Sequence, residues 1–249
     1  MMQVRLAQGG DRGALIQLDG GRCAGFGRLG VEVHELSDWL GGPAGTGTAV
    51  LVLEDARQAL CGYALLGTPA VAAHFRRGLC VRRVPFAGIE RALPTLSLVN
   101  DLTGAGQLHA LRVGGGVEPS AGAAQLLAAC QTLASAEPDR FGRRLFATLP
   151  GVRDDSGDSL LWQALGRHFA VQGSDFMATD GALLAELLPQ HTLFSGFLPE
   201  PARAALGEVG DAHLDAQEWL RAALWQESDY VDPFDGGPVL VLPSQGAGR

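Results

Sequence analysis

Apolar and polar positions alternate over residues 2–6, and more densely over 48–54 (TAVLVLE) and 60–66 (LCGYALL). A period of two puts alternate side chains on one face of a strand, so these runs read as strands, the last two closing around a polar turn as a hairpin. Residues 79–84, 94–99, 107–113 (QLHALRV) and 144–149 carry the same signature. Elsewhere the period is helical. From about residue 121, Leu126, Leu127, Cys130 and Leu133 fall on one face of a helix. Asp11 is placed to cap an earlier helix carrying Leu15, Ile16 and Leu18. Three more helices are predicted at 158–169 (Leu161, Leu165, Phe169), 180–188 (Leu183, Leu184, Leu187) and 212–225 (Trp219, Leu220, Leu224). Short strands at about 229–232 and 238–242 flank FDGGP as a closing hairpin.

Strands interspersed with helices predict an α/β (α+β) chain, a mixed sheet with helices packed on it. No internal repeat or coiled-coil heptad interrupts it. The whole chain, 1–249, reads as one region: a first half over 1–150, a helical/β half over 151–243, and a frayed tail SQGAGR at 244–249.

Composition narrows the chemistry. With 249 residues, 47% of them apolar, the chain can bury a real core. No apolar run approaches the roughly 18 residues of a membrane helix, and the N-terminus lacks the basic start and apolar stretch of a secretory signal. The expectation is a cytoplasmic protein with no membrane partner. A formal net charge of −8 argues against a nucleic-acid surface but suits a cationic small molecule. All 19 basic residues are arginine, which excludes lysine nucleophiles and a P-loop lysine. Cys23, Cys61, Cys80 and Cys130 form no C-x-x-C pair, and no His sits at zinc spacing, so buried thiols and no metal are expected.

Gly25, Gly27 and Gly30 satisfy G-x-G-x-x-G without the preceding strand or following helix of a dinucleotide site, so GGRCAGFGRLG at 20–30 reads as a flexible loop. The acidic run DDSGD at 154–158 lacks calcium-loop ligands and reads as a solvated loop or a helix cap. Residues 107–127 are more informative: a strand ends at Val113, GGG follows, and PSAGAAQLL opens a helix. Amide groups at such a helix start bind phosphate, and small residues let it approach. Gly122 and Ala124 fill the last two slots of the pattern Arg/Gln-x-x-Gly-x-Gly/Ala, while Pro119, with no N–H, fills the first.

Four ordered blocks carry a resemblance: ALPTLSLVNDLTG (92–104), LLWQALGRHF (160–169), LLAELLPQH (183–191) and YVDPFDGGP (230–238), with LVLEDARQALCGYAL (51–65) ahead of them. Together, over about residues 2–242, they resemble the arginine/ornithine N-succinyltransferase family. The resemblance implies a GNAT-like fold, a mostly antiparallel mixed sheet with packed helices. It also implies succinyl transfer from succinyl-CoA to the α-amine of arginine or ornithine in bacterial arginine degradation, in an oligomer. In that arrangement the strand at 107–113 pairs through its backbone with the pantetheine arm, Leu111 contacts succinyl-CoA, and Gly122 and Ala124 form the pyrophosphate turn. Asp101 and Asp235 lie in matching blocks and are candidate anchors for the acceptor's guanidinium or amine, or else caps of the turns NDLTG and FDGGP.

Four departures concentrate on polar positions. The family's proton-donating His in G-x-V-H-P falls on Gly210, with His213 three residues on as a candidate substitute. NDHTG reads NDLTG, placing Leu102 where the family has His; the turn D-E-H-G places Ser156 likewise; the pyrophosphate Arg falls on Pro119. The family also continues well beyond FDGGP. These losses support an alternative, a non-catalytic paralogue serving as binding or regulatory subunit of an active member, homo- or hetero-oligomeric.

Overall fold

The computed structural model describes residues 2–29, 48–68, 72–84, 86, 88–168 and 188–243. In chain order the strands are β1 (Gln3–Leu6), β2 (Cys23–Phe26), β3 (Thr48–Glu54), β4 (Leu60–Gly67), β5 (His74–Val84), β6 (Ile89–Val99), β7 (Gly106–Gly114), β8 (Leu145–Thr148), β9 (Leu193–Phe194), β10 (Gln226–Val231) and β11 (Pro238–Leu242). The helices are α1 (Arg12–Gly20), α2 (Pro119–Ala136), α3 (Pro138–Phe141), α4 (Leu160–Ala164), α5 (Glu200–Ala204) and α6 (Leu214–Ala222).

Among the described residues, eleven strands form one sheet in the order β1-β3-β4-β7-β8-β11-β10-β5-β6-β9, with β2 attached to β7. Every pairing is antiparallel except β7 with β8. The mixed, mostly antiparallel sheet expected from the sequence is therefore present, and it takes strands from both halves of the chain.

Helices cover both faces of the sheet centre. On one face α2 and α6 bury Ala123, Leu126, Leu127, Cys130, Trp219 and Leu220 against Leu53, Ala64, Leu66, Leu108, Leu111 and Val113. On the other, Leu15 of α1 packs with Val50, Val52, Tyr63, Leu65 and Ala110. That double cover explains why β3 and β4 read as nearly continuous apolar runs. Helix α2 starts where the Glu118 carboxylate caps its first turn and Pro119 supplies a preset φ. It stops at Glu137, whose N–H closes on Leu133, because Pro138 follows.

Several expectations are corrected. The glycine-rich stretch read as a loop contains β2. The strands expected at 79–84 and 94–99 are parts of an eleven-residue pair, β5 and β6. The helix expected at 158–169 shortens to α4 and a 3-10 turn at Gly166–His168, since Gly166 sits under the Trp162 ring and weakens the helix. Asp11 spends its carboxylate on Arg5 and the Gln8 N–H instead of on α1. In DDSGD, Asp154 accepts from Ser156 and Asp158 N–H, while the cap of α4 is Ser159, 3.0 Å from the Trp162 nitrogen. The helix expected at 180–188 lies outside the described residues up to 187.

Candidate active site

The strand at the centre of the sheet has two unlike edges. Along one, β7 pairs with β4 from Gly62↔Val113 to Gly67↔Gln107. Along the other it meets β8 only at Gly106↔Leu145 and Gln107↔Phe146, and the two parallel strands then part. Directly after β7 comes α2. The strand–turn–helix expected over 107–127 is present as β7 and α2, and the parting of β7 from β8 ahead of it was not read from the sequence. At the splay, β7 carries a bulge: Leu65 opposes Ala110 and Leu66 opposes Leu108, leaving His109 as the extra residue.

The splayed edge is held by the chain itself. Strand β2 pairs there with register Cys23↔Gly114, Ala24↔Val113, Gly25↔Arg112 and Phe26↔Leu111. Glycine is required at two of these contacts. Gly25 has φ +115°, and a Cβ on it would lie 1.9 Å from the Leu111 carbonyl oxygen; Gly27 has φ +66°, and its Cβ would lie 2.1 Å from the His109 carbonyl oxygen. Two glycines of the weak G-x-G-x-x-G pattern thus serve a close strand–strand approach.

His213 touches the outer side of β2. Its Nδ1 lies 2.9 Å from the Gly25 carbonyl oxygen. A carbonyl only accepts, so Nδ1 is the donor in this contact. Gly210, the slot of the family's histidine, donates its N–H to the Pro150 carbonyl at 3.0 Å, and its neighbour Val209 bridges to Gly151. A Cβ at 210 would come within 2.8 Å of the Gly151 carbonyl oxygen. The backbone has closed on the glycine, and a histidine there demands a local shift. Leu102 is buried with Ala72, Ala105, Phe146 and Val239.

The start of α2 is likewise occupied. Glu118 accepts from the Ser120 hydroxyl at 2.7 Å and from the Ala121 and Ser120 N–H groups at 2.7 and 3.1 Å. These bonds, the Ser120 hydroxyl first, hold its carboxyl below the usual range. The Gly122 N–H goes to the Glu118 carbonyl, and Pro119 has none to give. A phosphate at this helix start must displace a carboxylate. Gly122 faces inward, where a Cβ would meet Val113 at 2.9 Å; Ala124 faces outward onto an open groove of about 500 Å³ between α2 and α6, lined also by Ser120, Gln131, Trp219 and Leu224. Leu111 is fully buried beneath α2, with its carbonyl beside Gly25.

The two aspartates occupy the far side of β8, and both are engaged. Asp101 takes Arg76 at 3.1 Å and the Tyr230 hydroxyl at 3.0 Å. Asp235 is buried, accepts the Gly237 N–H at 2.9 Å within the β10–β11 turn, and lies 3.8 Å from Arg153. Below it Asp232 accepts two turn N–H groups, and burial together with the Asp235 charge raises its carboxyl above the ordinary value. His74 is buried against Phe146, and desolvation lowers its pKa. Among the described residues, no three His, Cys, Asp or Glu side chains gather to hold a metal ion, and no helix is long and apolar enough to cross a membrane.

Sequence reading missed Glu118, Arg112 and His109. Glu118 was visible as a capping residue before Pro119; Arg112 was visible as one cation inside an apolar strand. Nothing in a single sequence marks a bulge at His109.

Comparison with known proteins agrees with this frame. Residues 42–245 match the family described as arginine N-succinyltransferase beta subunit. The arginine N-succinyltransferases of Salmonella typhimurium and Salmonella enteritidis are 31% identical over an alignment of 266 residues that covers 96% of this chain and 75% of each relative. Arginine/ornithine succinyltransferase subunit AI from Pseudomonas aeruginosa superposes with a TM-score of 0.75 at 23% identity, covering 99% of this chain and 78% of that one, so the two share a fold. This chain belongs to the arginine N-succinyltransferase family.

Proposed function

We propose that this chain moves the succinyl group of succinyl-CoA onto the α-amine of arginine or ornithine. The observation that carries the reading is the splay of β7 from β8, leading straight into α2, in a chain of this family. The acyl carrier's extended arm runs along β7 past Leu111, its phosphates displace the Glu118 carboxylate from the Ser120 and Ala121 N–H groups in the turn of α2 that contains Gly122, and the groove beside Ala124 offers its nucleotide end an apolar surface. Residues 1–150 supply this side, and 151–243 supply His213 and Asp235.

Attack by the amine requires a neutral nitrogen, and the departing thiolate gains from a proton. His213, whose Nδ1 is held by the Gly25 carbonyl, is the imidazole placed beside β2 for that work. Asp101 and Asp235 are the acidic side chains for the acceptor's cationic end, each exchanging its present partner for the ligand. The non-catalytic alternative is not favoured by the relatives, which are transferases. Arginine and CoA are thus the small-molecule partners. An oligomer is the working form, supported by the Pseudomonas protein's being a subunit and by the exposed Leu79, Val81 and Ile89 of the β5–β6 arm. Four free thiols suit a reducing cytoplasm.

The carrier arm and β2 claim the same edge of β7, so they alternate: β2 leaves when the carrier binds, and the carrier offsets the exposure of Phe26. The test is thiol release from succinyl-CoA with arginine and with ornithine, alongside calorimetric titration with CoA. Acceptor-dependent release is expected, with faster amide exchange at residues 23–26 once CoA binds. A protein that neither binds millimolar CoA nor releases thiol ends the reading.

A further inference from the structure

Val52, Tyr63, Arg112 and Gly25 are successive Cα partners across β3, β4, β7 and β2. Members of such a row share a face, and Tyr63 and Val52 lie on the α1 face. Arg112 therefore points toward α1, immediately after Leu111 and away from α2. It is only 9% exposed, and its Nε is sealed from solvent with no hydrogen-bond partner. Among the described residues no carboxylate pairs with it. Asp19, joined to this row through Tyr63, is engaged: it accepts the Tyr63 hydroxyl and the Leu29 N–H.

An arginine cannot shed its charge at neutral pH, so a buried guanidinium normally has a carboxylate or phosphate beside it. Even the half-buried Arg5 is paired, gripped by Asp11 and Glu54. Arg112 differs in having on one flank a tyrosine and on the other a glycine, Gly25, which sets no side chain over it. When β2 leaves β7, that flank opens at the point where the acyl group arrives.

We propose that Arg112 anchors a substrate carboxylate, so that its planar fork of donors selects acidic ligands at the splay. The inference rests on the transfer reading for its location. Two carboxylates fit the chemistry: the free end of a dicarboxylic acyl group and the α-carboxylate of the acceptor amino acid.

The test uses the full-length protein and Arg112→Met and Arg112→Lys variants. In calorimetry, wild type binds succinamate or arginine but not their carboxylate-free counterparts butyramide and agmatine. Arg112→Met loses that preference and, free of ligand, melts at a higher temperature, because an unpaired buried charge has been removed; Arg112→Lys keeps part of it. In turnover, Arg112→Met lowers the preference for succinyl-CoA over acetyl-CoA, or for arginine over agmatine, by about a hundredfold, and which ratio falls identifies the carboxylate. If both ratios survive the substitution, or if wild type shows no preference for the acidic probes, Arg112 is not an anchor. If the acidic probes bind while wild type turns over no donor, the anchor stands and the transfer reading falls.

Discussion

The two edges of β7 show how differently one strand can be held. On the β4 edge, hydrogen bonds are backed by side chains from β3, β4 and α2 that pack into a single apolar cluster. On the splayed edge, β2 is held by four backbone partners, two glycines of positive φ, one histidine-to-carbonyl bond and a single large apolar anchor, Phe26, which is fully buried in the same cluster. Burial makes the first edge permanent. The second rests on backbone contacts that another extended molecule can replace at little net change, plus the burial of one ring, Phe26, worth about 1.5–3 kcal/mol that the arriving molecule must offset.

The comparison breaks first under core truncation. Leu126→Ala removes a fully buried side chain behind the β4 edge and should destabilise the fold by about 2–5 kcal/mol. Gly25→Ala, which drives a Cβ into the Leu111 carbonyl, should unseat β2 and expose Phe26, at a smaller cost than truncating the core shared by β3, β4 and α2. Urea unfolding of both variants decides it: a Gly25→Ala loss as large as that of Leu126→Ala would mean that β2 belongs to the permanent fold.

A lock sharpens it next. Gly114 faces Cys23 across the pair, and a Cβ at 114 would lie 3.3 Å from the Cys23 sulfur, with the Leu18 methyl the atom that must give. Gly114→Cys is therefore placed to form a disulfide that ties β2 to β7. Oxidised, the variant should bind CoA at least about tenfold more weakly than the same protein after reduction. Equal affinities would mean that the carrier does not need the β2 edge.

The sequence displayed what depends on local period: the β3–β4 hairpin, α2 and the β10–β11 turn all follow from apolar spacing and turn residues. It also displayed the family, through ordered blocks such as YVDPFDGGP. It did not display what depends on which edge meets which. Gly25 and Gly27 look like any flexible glycines until β7 is seen beside them. Gly210 shows in sequence as a lost histidine, but only the Gly151 carbonyl shows that the space for one has closed. Glu118 needed the opposite correction, since the helix start that reads as a phosphate site already holds an anion.

The smallest expected effect concerns His109, the residue that the bulge adds to β7. Desolvation alone pulls its pKa down to about 4, so it is neutral in the folded protein. In the unfolded chain an ordinary histidine takes up its proton near pH 6.5. Between those values the unfolded state binds more protons, so the contribution is complete above pH ~6.5 and is lost as pH falls toward 4. Desolvated His74 acts in the same direction, and the raised Asp232 carboxyl acts in the opposite one, so wild type alone cannot isolate the bulge. The difference between wild type and His109→Gln can, because only one titrating group separates them. Relative to the variant, wild type should lose about 1 kcal/mol between neutral pH and about pH 5.5. Parallel stability curves would mean that the imidazole at the bulge reaches water, and that the interior of the splay is wetter than its packing implies.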